Sequence, residues 1–324
     1  MVLNARKFLV IGRVGMDLCP DPPGTATQDA ETMMAAMGGS AANTAAGLVK
    51  LGCAADLVTT VSSDGVGQFC LAQLDNYGVG RQYVRTTTGQ ARTSLAIYES
   101  RLADHQTVIY RNNAADFLMD HSDVAAIDFA AYDAVITAGT VFAADPSRTA
   151  AFAALDMAKV AGKPIIFDVD YRPYSWPSAK VAEDVLSQAA HLSDVIVGNG
   201  EEFGFMAGGI EKGQACAHQL SQTTAQCVVY KMGPLGAVTF AGSDVLKTGI
   251  YTVDALKPTG AGDSFMAGFL ASLADGHGLE QSVLRGSACA AITVSKPACA
   301  PAMPYPDDLD AFLASHPGPS DGPE

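Results

Sequence analysis

The sequence has few of the features that mark membrane, disulfide-rich or nucleic-acid-binding proteins. No apolar run approaches the roughly 18 residues that a membrane span needs. The seven cysteines are scattered and form no C-x-x-C pair, which disfavours a disulfide framework or a zinc cluster. The apolar run near the N-terminus is too short for a signal peptide, so we expect a cytoplasmic protein with reduced thiols.

Positive charge is also scarce, since 20 Lys and Arg stand against 34 Asp and Glu, for a net charge of −14. Nucleic acids and anionic membranes are bound through basic patches, so neither is an expected partner. A small anionic substrate remains compatible, because it needs only a few local cations. The six histidines show no metal-ligand spacing, which disfavours a protein-held catalytic zinc.

Short apolar runs alternate with Ala-rich segments of helical periodicity along most of the chain. Runs of this kind are typical of strands buried on both faces, and six of them begin at Lys7, Asp56, Asp133, Pro164, Ser193 and Gln226. Helical segments such as "GSAANTAAGLVKLG" and "SRTAAFAALDMAKVAG" lie between them. The alternation predicts an α/β fold with a mostly parallel sheet and helices on both faces.

Two segments depart from this alternation. Between Val84 and Arg111, two runs of strand character are joined by a polar turn without a helix, which predicts an antiparallel hairpin that is either a lid or a peripheral sheet. The tail over 315–324 is rich in Pro, Gly and Ser, and we expect it to be disordered. The sequence therefore predicts one domain over 1–314 followed by this tail.

The stretch "PTGAGDSFMAG" places three glycines and an acid immediately before an apolar helical run. The first N–H groups of a helix have no intrahelical partner, so a glycine-rich helix start is a natural site for phosphate. Asp263 lies there, where it is either a first-turn structural residue or a base that accepts a proton from an attacking hydroxyl. No Walker A sequence and no protein-kinase G-x-G-x-x-G or H-R-D motif occurs in the chain.

Two separated segments, "GGSAANTAAGLVKLG" and "TGAGDSFMAGFL", resemble the signature segments of the ribokinase-like (pfkB) sugar kinases. The resemblance extends over about residues 6–312. It implies a three-layer sandwich with a small β-sheet lid formed by about 13–37 and 84–113. It also implies ATP and Mg²⁺ as cofactors and phosphorylation of a sugar hydroxyl. A homodimer formed through the lid is a further expectation, because the family often pairs its lids.

The resemblance also assigns roles to individual residues. Asp263 is the expected catalytic base, beside an anion hole formed by Gly260, Ala261 and Gly262. The positions expected to contact substrate hydroxyls are Asp17, Gly38, Gly39 and Asn43. Those expected to bind the nucleotide are Asn199, Glu202, Lys231, Gly233, Gly236 and Thr259, with Glu202 acting on magnesium indirectly, through water and the ATP phosphates.

Two arginines bear on the substrate class. Arg111 ends the predicted hairpin and Arg172 follows a buried strand, at the edge where open α/β sheets bind ligands. A carboxylate matches the planar guanidinium fork, so these arginines favour a sugar acid over a neutral sugar, although pairing with acidic neighbours is the structural alternative. The strings "YRNNAADF" and "FDVDYRPYSWPS" resemble those of the sugar-acid kinases of the family, above all the one of myo-inositol catabolism.

Several alternatives stay open: a 2-keto-3-deoxygluconate kinase, a fructokinase, a nucleoside kinase, and a sugar-acid-binding regulator without catalysis. One departure from the family pattern carries its own expectation. Where many members have D-T-T-G-A-G-D, this chain has Lys257, Pro258 and Thr259. An aspartate that helps to hold a monovalent cation is thus replaced, and we expect the Lys257 ammonium to stand in for that cation.

Overall fold

The computed structural model describes residues 5–316 and 318–323, which form two β-sheets and two layers of helices. The large sheet has nine strands in the order β13-β12-β11-β10-β9-β8-β1-β4-β5. Its strands are β1 (Lys7–Ile11), β4 (Ala54–Ser62), β5 (Gly80–Thr87), β8 (Ala134–Ala138), β9 (Ile165–Asp168), β10 (Val195–Asn199), β11 (Cys227–Lys231), β12 (Ala237–Ala241) and β13 (Asp244–Thr248). The small sheet contains β2 (Gly15–Asp21), β3 (Thr32–Gly38), β6 (Leu95–Tyr98) and β7 (Thr107–Tyr110).

All six predicted strands lie side by side in the large sheet and pair in parallel, from β4 across to β11. Only β12 and β13 run antiparallel to their neighbours. The predicted α/β fold with a mostly parallel sheet is confirmed. Because parallel strands end at the same edge, the polar residues that follow them are brought together there.

Helices cover both faces of the large sheet. They are α1 (Ser40–Lys50), α2 (Gly65–Tyr77), α3 (His121–Ala125), α4 (Ser147–Val160), α5 (Ala179–His191), α6 (Gly200–Met206), α7 (Gly213–Thr223), α8 (Ala261–Ala274), α9 (Leu279–Val294) and α10 (Pro306–Ser315). Residues of α1, α8 and α9 pack in one apolar core, and residues of α4, α5 and α7 pack in a second core on the opposite face. None of the helices in the described part of the chain is long and apolar enough to span a membrane.

The small sheet is built from both segments that were expected to form the lid. The hairpin predicted between Val84 and Arg111 is formed by β6 and β7, which pair antiparallel. The prediction was wrong for Val84–Thr87, which belongs to β5 and pairs in parallel with β4 at the edge of the large sheet. The exposed face of an edge strand tolerates polar residues, so the run "VRTTT" resembled a hairpin strand.

The C-terminal segment, which was expected to be disordered, has contacts with the rest of the chain. Residues 318–323 lie against the large sheet, where Ser320 N donates to Ile250 O at 2.8 Å and Ile250 N donates to Ser320 Oγ at 3.1 Å. The composition is poor in apolar residues, but these backbone contacts satisfy polar groups that composition alone does not reveal. Pro317 and Glu324 lie outside the described residues.

Candidate active site

The glycine-rich stretch forms the start of α8, as its composition predicts. Gly260 precedes the helix with φ = 84°, a left-handed conformation that favours glycine. A Cβ on Gly260 would lie 2.9 Å from Cys299 Sγ, so a side chain is also excluded by close packing. The free N–H groups of this helix start face a cavity of about 880 Å³ that is lined by Gly260, Ala261 and Gly262.

Asp263 lies in the first turn of α8, at the floor of this cavity. Asn43 Nδ2 on α1 donates to Asp263 Oδ2 at 2.8 Å, which joins the two predicted signature segments directly. Burial, and then the nearby charge of Asp170, raise the pKa of Asp263 to about 6. A carboxylate with this pKa is largely ionised at neutral pH and is a stronger base than an exposed aspartate.

Lys231 places a positive charge beside the expected anion hole of Gly260, Ala261 and Gly262, which we call the anion cradle. It ends β11, and a Cβ built on Gly262 would lie 3.4 Å from Lys231 Nζ. The cradle thus combines backbone N–H groups with an ammonium, an arrangement that stabilises the charge of a transferring phosphoryl group.

Asn199 and Glu202, both expected to bind the nucleotide, form a capping box at the start of α6. Glu202 N donates to Asn199 Oδ1 at 2.9 Å, and Asn199 N donates to Glu202 Oε2 at 2.7 Å. Both residues also line the cavity. Burial raises the pKa of Glu202, and it raises the pKa of Asp168 well above its usual range. Two buried carboxylates with raised proton affinity fit a nearby divalent cation, which would favour their ionised forms.

Direct protein ligation of a metal is a separate question from this electrostatic fit. Within residues 5–316 and 318–323, no group of three or more His, Cys, Asp or Glu side chains is placed to hold a metal ion. The fit is therefore with a cation held largely by phosphate oxygens and water, as Mg²⁺ commonly is in phosphoryl-transfer sites.

Asp17 and Gly39 line the cavity, and Gly38 packs behind the Asp17 carboxylate. Asp17 lies on β2, and burial raises its pKa to about 6. Gly38 pairs across the small sheet and packs against this carboxylate, so closely that a Cβ on Gly38 would lie 1.9 Å from Asp17 Oδ1. The absence of a side chain at Gly38 therefore fixes where the Asp17 carboxylate lies.

We expect Gly38→Ala to raise the KM for the sugar substrate about 10- to 100-fold, because the added methyl group must displace Asp17. The KM for the nucleotide should change little. The matched control is Gly65→Ala, since a Cβ on Gly65 at the start of α2 meets nothing within 4 Å. An unchanged sugar KM in Gly38→Ala would contradict this role of Asp17.

The two predicted arginines are placed differently. Arg172 lines the cavity, and its Nη2 lies 2.8 Å from Asp170 Oδ1. Arg111 is buried, forms an ion pair with Asp116, and donates from Nη2 to Thr140 O at 3.0 Å. Arg111 does not line the cavity, so its contact with a substrate carboxylate stays a prediction.

Nearly all of the predicted site residues line this one cavity. The members are Asp17, Gly39, Asn43, Arg172, Asn199, Glu202, Lys231, Gly233, Gly236, Thr259, Gly260, Ala261, Gly262 and Asp263, while Gly38 and Arg111 lie outside its lining. Sequence reasoning assigned no role to several other lining residues, namely Arg13, Ser40, Thr140, Asp168 and Asp170. The paired acids in "FDVDYR" follow the buried strand β9, and that position is the signal that would have found Asp168 and Asp170.

Lys257 also lines the cavity and is fully buried, with 0% exposure. Its Nζ donates to Thr259 O at 2.6 Å and to Thr293 O at 3.2 Å. Burial lowers its pKa, whereas nearby acids, including Asp263, act in the opposite direction. An ammonium held by two carbonyl oxygens directly before the anion cradle has the surroundings of a bound monovalent cation.

Comparisons with known proteins agree with this geometry. Two curated relatives are named 5-dehydro-2-deoxygluconokinase. The one from Photobacterium profundum is 34% identical over 94% of this chain and 94% of its own length, and the one from Geobacillus kaustophilus is 31% identical over 95% and 94%.

Among solved structures, a fructokinase with bound ATP from Xylella fastidiosa superposes with a TM-score of 0.85, at 21% identity over 96% of this chain and 98% of that one. A double mutant of the fructokinase from Vibrio cholerae, in a form with bound fructose, ADP and potassium, has a TM-score of 0.84 at 23% identity, over 96% and 99%. The model of the pfkB family carbohydrate kinases matches residues 5–306. This chain therefore belongs to the pfkB family of carbohydrate kinases and is a sugar kinase.

Proposed function

We propose that this sugar kinase transfers the γ-phosphoryl group of ATP to the C6 hydroxyl of a sugar acid, 5-dehydro-2-deoxy-D-gluconate. The observation that carries the proposal is the contact between Asn43 and Asp263 at the start of α8, where a base of raised pKa faces an anion cradle. The names of the two curated relatives support the choice of substrate. The product would be a sugar-acid 6-phosphate.

The residues that line the cavity would form a sugar side and a nucleotide side, with Asp263 between the two substrates. Asp17 and Asn43 would bind substrate hydroxyls, with Gly38 and Gly39 allowing the close approach. The Asp263 carboxylate would accept the proton of the attacking hydroxyl, while the N–H groups of the Gly260–Gly262 stretch and the Lys231 ammonium would stabilise the charge on the transferring group. Because phosphoryl transfer has a loose transition state, most of the rate should come from this positioning and charge stabilisation.

The nucleotide side would be formed by Asn199, Glu202, Lys231, Gly233, Gly236 and Thr259. Magnesium, when bound with ATP, would neutralise the phosphate charge, and the Glu202 and Asp168 carboxylates would act on it through water. The small sheet would close over the substrate and exclude water from the γ-phosphate. Ala96 and Tyr98 of β6 and Ile109 of β7 already line the cavity, which supports this lid role.

A homodimer formed through the lid stays a prediction. The small sheet exposes apolar side chains, among them Val108 at 48% and Tyr110 at 59%, both on β7. Sedimentation of the purified protein measures the oligomeric state directly.

The substrate is tested by measuring ADP release with Mg-ATP and a panel of acceptors. We expect kcat/KM for 5-dehydro-2-deoxygluconate to exceed that for 2-keto-3-deoxygluconate, fructose and ribose, because a carboxylate and the matching hydroxyls are all engaged. Preference for 2-keto-3-deoxygluconate would keep the sugar-acid site and change the substrate. Binding of a sugar acid by the folded protein without any turnover would instead support a regulator.

A further inference from the structure

Arg13 is a cavity-lining cation whose position is fixed by its backbone. It lies in the short connection between β1 and β2, where the large sheet passes into the small one. Its carbonyl oxygen accepts a hydrogen bond from Ala42 N of α1 at 3.3 Å, and a Cβ on Gly39 would lie 2.4 Å from the same oxygen. The segment is therefore packed tightly onto the start of α1, beside Asn43.

Among the residues that the structure describes, the buried guanidinium of Arg13 has no counter-ion. Arg13 is 9% exposed and its Nη1 donates to Ser94 Oγ at 2.9 Å, while its Nε has no hydrogen-bond partner within residues 5–316 and 318–323. Within the described part of the chain, no carboxylate oxygen lies within 4.0 Å of its nitrogens. Asp17 is near enough for Arg13 to lower its pKa, but it forms no ion pair with Arg13.

Arg172 and Arg111, unlike Arg13, each form an ion pair with a carboxylate. Arg172 is paired with Asp170, and Asp170 is further held by Ser40 Oγ at 2.6 Å. Arg111 is paired with Asp116 and stacks over the ring of Phe117, 4.1 Å from its centroid. Each of these guanidinium groups already has a carboxylate, so a substrate anion would have to compete for it.

A buried charge without a partner is costly, and proteins retain one mainly where a ligand supplies the partner. Arg13 donates to a neutral hydroxyl, that of Ser94, and its side chain lines the same cavity as Asp17 and Arg172. Because its backbone is fixed, little ordering would be needed when an anion binds.

We propose that Arg13 binds the carboxylate of the sugar-acid substrate and sets the preference for an acid over a neutral sugar. This inference rests on the proposed function, because it names the residue that recognises the charged end of that substrate. Ser94 orients the guanidinium, and Arg172, which lines the same cavity, adds a second positive charge to it.

The test compares 5-dehydro-2-deoxygluconate with its neutral methyl ester in the wild type, Arg13→Met, Arg13→Lys and a control, Arg81→Met. Arg81 lies on the edge strand β5 and is paired with Asp75. Replacing Arg81 therefore changes the net charge by the same amount without changing the cavity. In Arg13→Met, KM for the acid should rise about 30- to 300-fold, because one partner of a desolvated charge pair is lost. KM for the ester should change less than about 3-fold, and Arg13→Lys should fall between Arg13→Met and the wild type.

A purely structural role would not give this pattern, since misfolding would affect acid and ester alike. If Arg13→Met folds poorly, Arg13→Lys and Ser94→Ala provide the same comparison, with a smaller loss of acid preference expected. Retention of the wild-type ratio between acid and ester in Arg13→Met or Arg13→Lys would overturn the inference while leaving the proposed function intact.

A wild type that does not phosphorylate 5-dehydro-2-deoxygluconate would instead contradict the proposed substrate. Titration calorimetry with D-gluconate and D-glucitol then decides the role of Arg13 independently of turnover. Binding of gluconate that is weakened about 30- to 300-fold in Arg13→Met, with glucitol unaffected, would support the inference. Equal gluconate binding in the wild type and the variant would overturn it.

Discussion

Asp263→Asn should lower kcat about 10²- to 10⁴-fold while leaving KM for the sugar and the nucleotide within about 3-fold. Asparagine has nearly the same shape and can still accept the hydrogen bond that Asn43 Nδ2 donates at this position. The anion cradle and Lys231 remain, so what is lost is the group that takes the proton. The matched control is Asp275→Asn, since Asp275 ends the same helix and is paired with Arg6 away from the cavity.

The pH profile separates a base from a residue that only binds. Because the pKa of Asp263 is raised to about 6, we expect kcat of the wild type to fall as pH decreases through that value. The residual activity of Asp263→Asn should not show this decrease in kcat. Asp17 has a similar pKa, but as a binding residue it should affect kcat/KM rather than kcat. A loss of kcat smaller than about 5-fold in Asp263→Asn would contradict the assignment.

The substitution Asp263→Asn should raise the free energy of unfolding at pH 7, although it lowers activity. The pKa of Asp263 is raised from 3.8 to about 6, so the folded protein disfavours the ionised carboxylate relative to the unfolded chain. At pH 7 this lowers the free energy of unfolding by roughly 1–3 kcal/mol, and the cost disappears below about pH 4. Asp263→Asn should therefore melt at a higher temperature than the wild type at pH 7, with little difference at pH 4. A lower melting temperature of Asp263→Asn than of the wild type at pH 7 would show that the folded protein stabilises the ionised Asp263 carboxylate, contrary to this prediction.

The parts of the molecule that could be predicted are those set by local chemistry. Continuous apolar runs such as β9 and β10 have no polar face, so they belong to a sheet covered on both sides. The start of α8 could be predicted because its glycines and the following apolar run occur in one short stretch. From these elements alone, the parallel sheet and the glycine-rich start of α8 follow.

The residue roles that could not be predicted depend on side-chain contacts that only the folded chain reveals. Arg111 follows a hairpin strand, but it does not line the cavity and is buried in an ion pair with Asp116 of the next 3-10 turn. Arg13 interrupts an apolar run, and only the fold reveals that Ser94, some 80 residues later, is its neighbour. Ion pairs and cavity contacts of this kind are set by tertiary packing, which local pattern does not encode.

Lys257 leads to the second large expected effect, which concerns monovalent cations. Its ammonium donates to Thr259 O and Thr293 O, and Thr259 directly precedes Gly260 of the anion cradle. The Lys257 ammonium therefore already occupies the position at which a potassium ion would bind these two carbonyl oxygens. We expect the activity of the wild type to be equal in potassium, sodium and choline salts at constant ionic strength. A several-fold activation by potassium would contradict this role.

Lys257→Ala should lower kcat/KM about 100-fold or more, because two buried carbonyl groups lose their donor and the cradle loses its support. The truncated side chain leaves a space lined by these oxygens, and we expect potassium, rather than sodium or choline, to restore part of the activity. Lys257→Met is the matched control, since it removes the same charge but fills the space, so potassium should not rescue it. Rescue of both variants would indicate a general salt effect, whereas rescue of neither would show that the ammonium supports the fold without standing in for a cation. Rescue of the alanine variant alone would show that one positive charge at this point, covalently attached or bound from solution, is what the anion cradle requires.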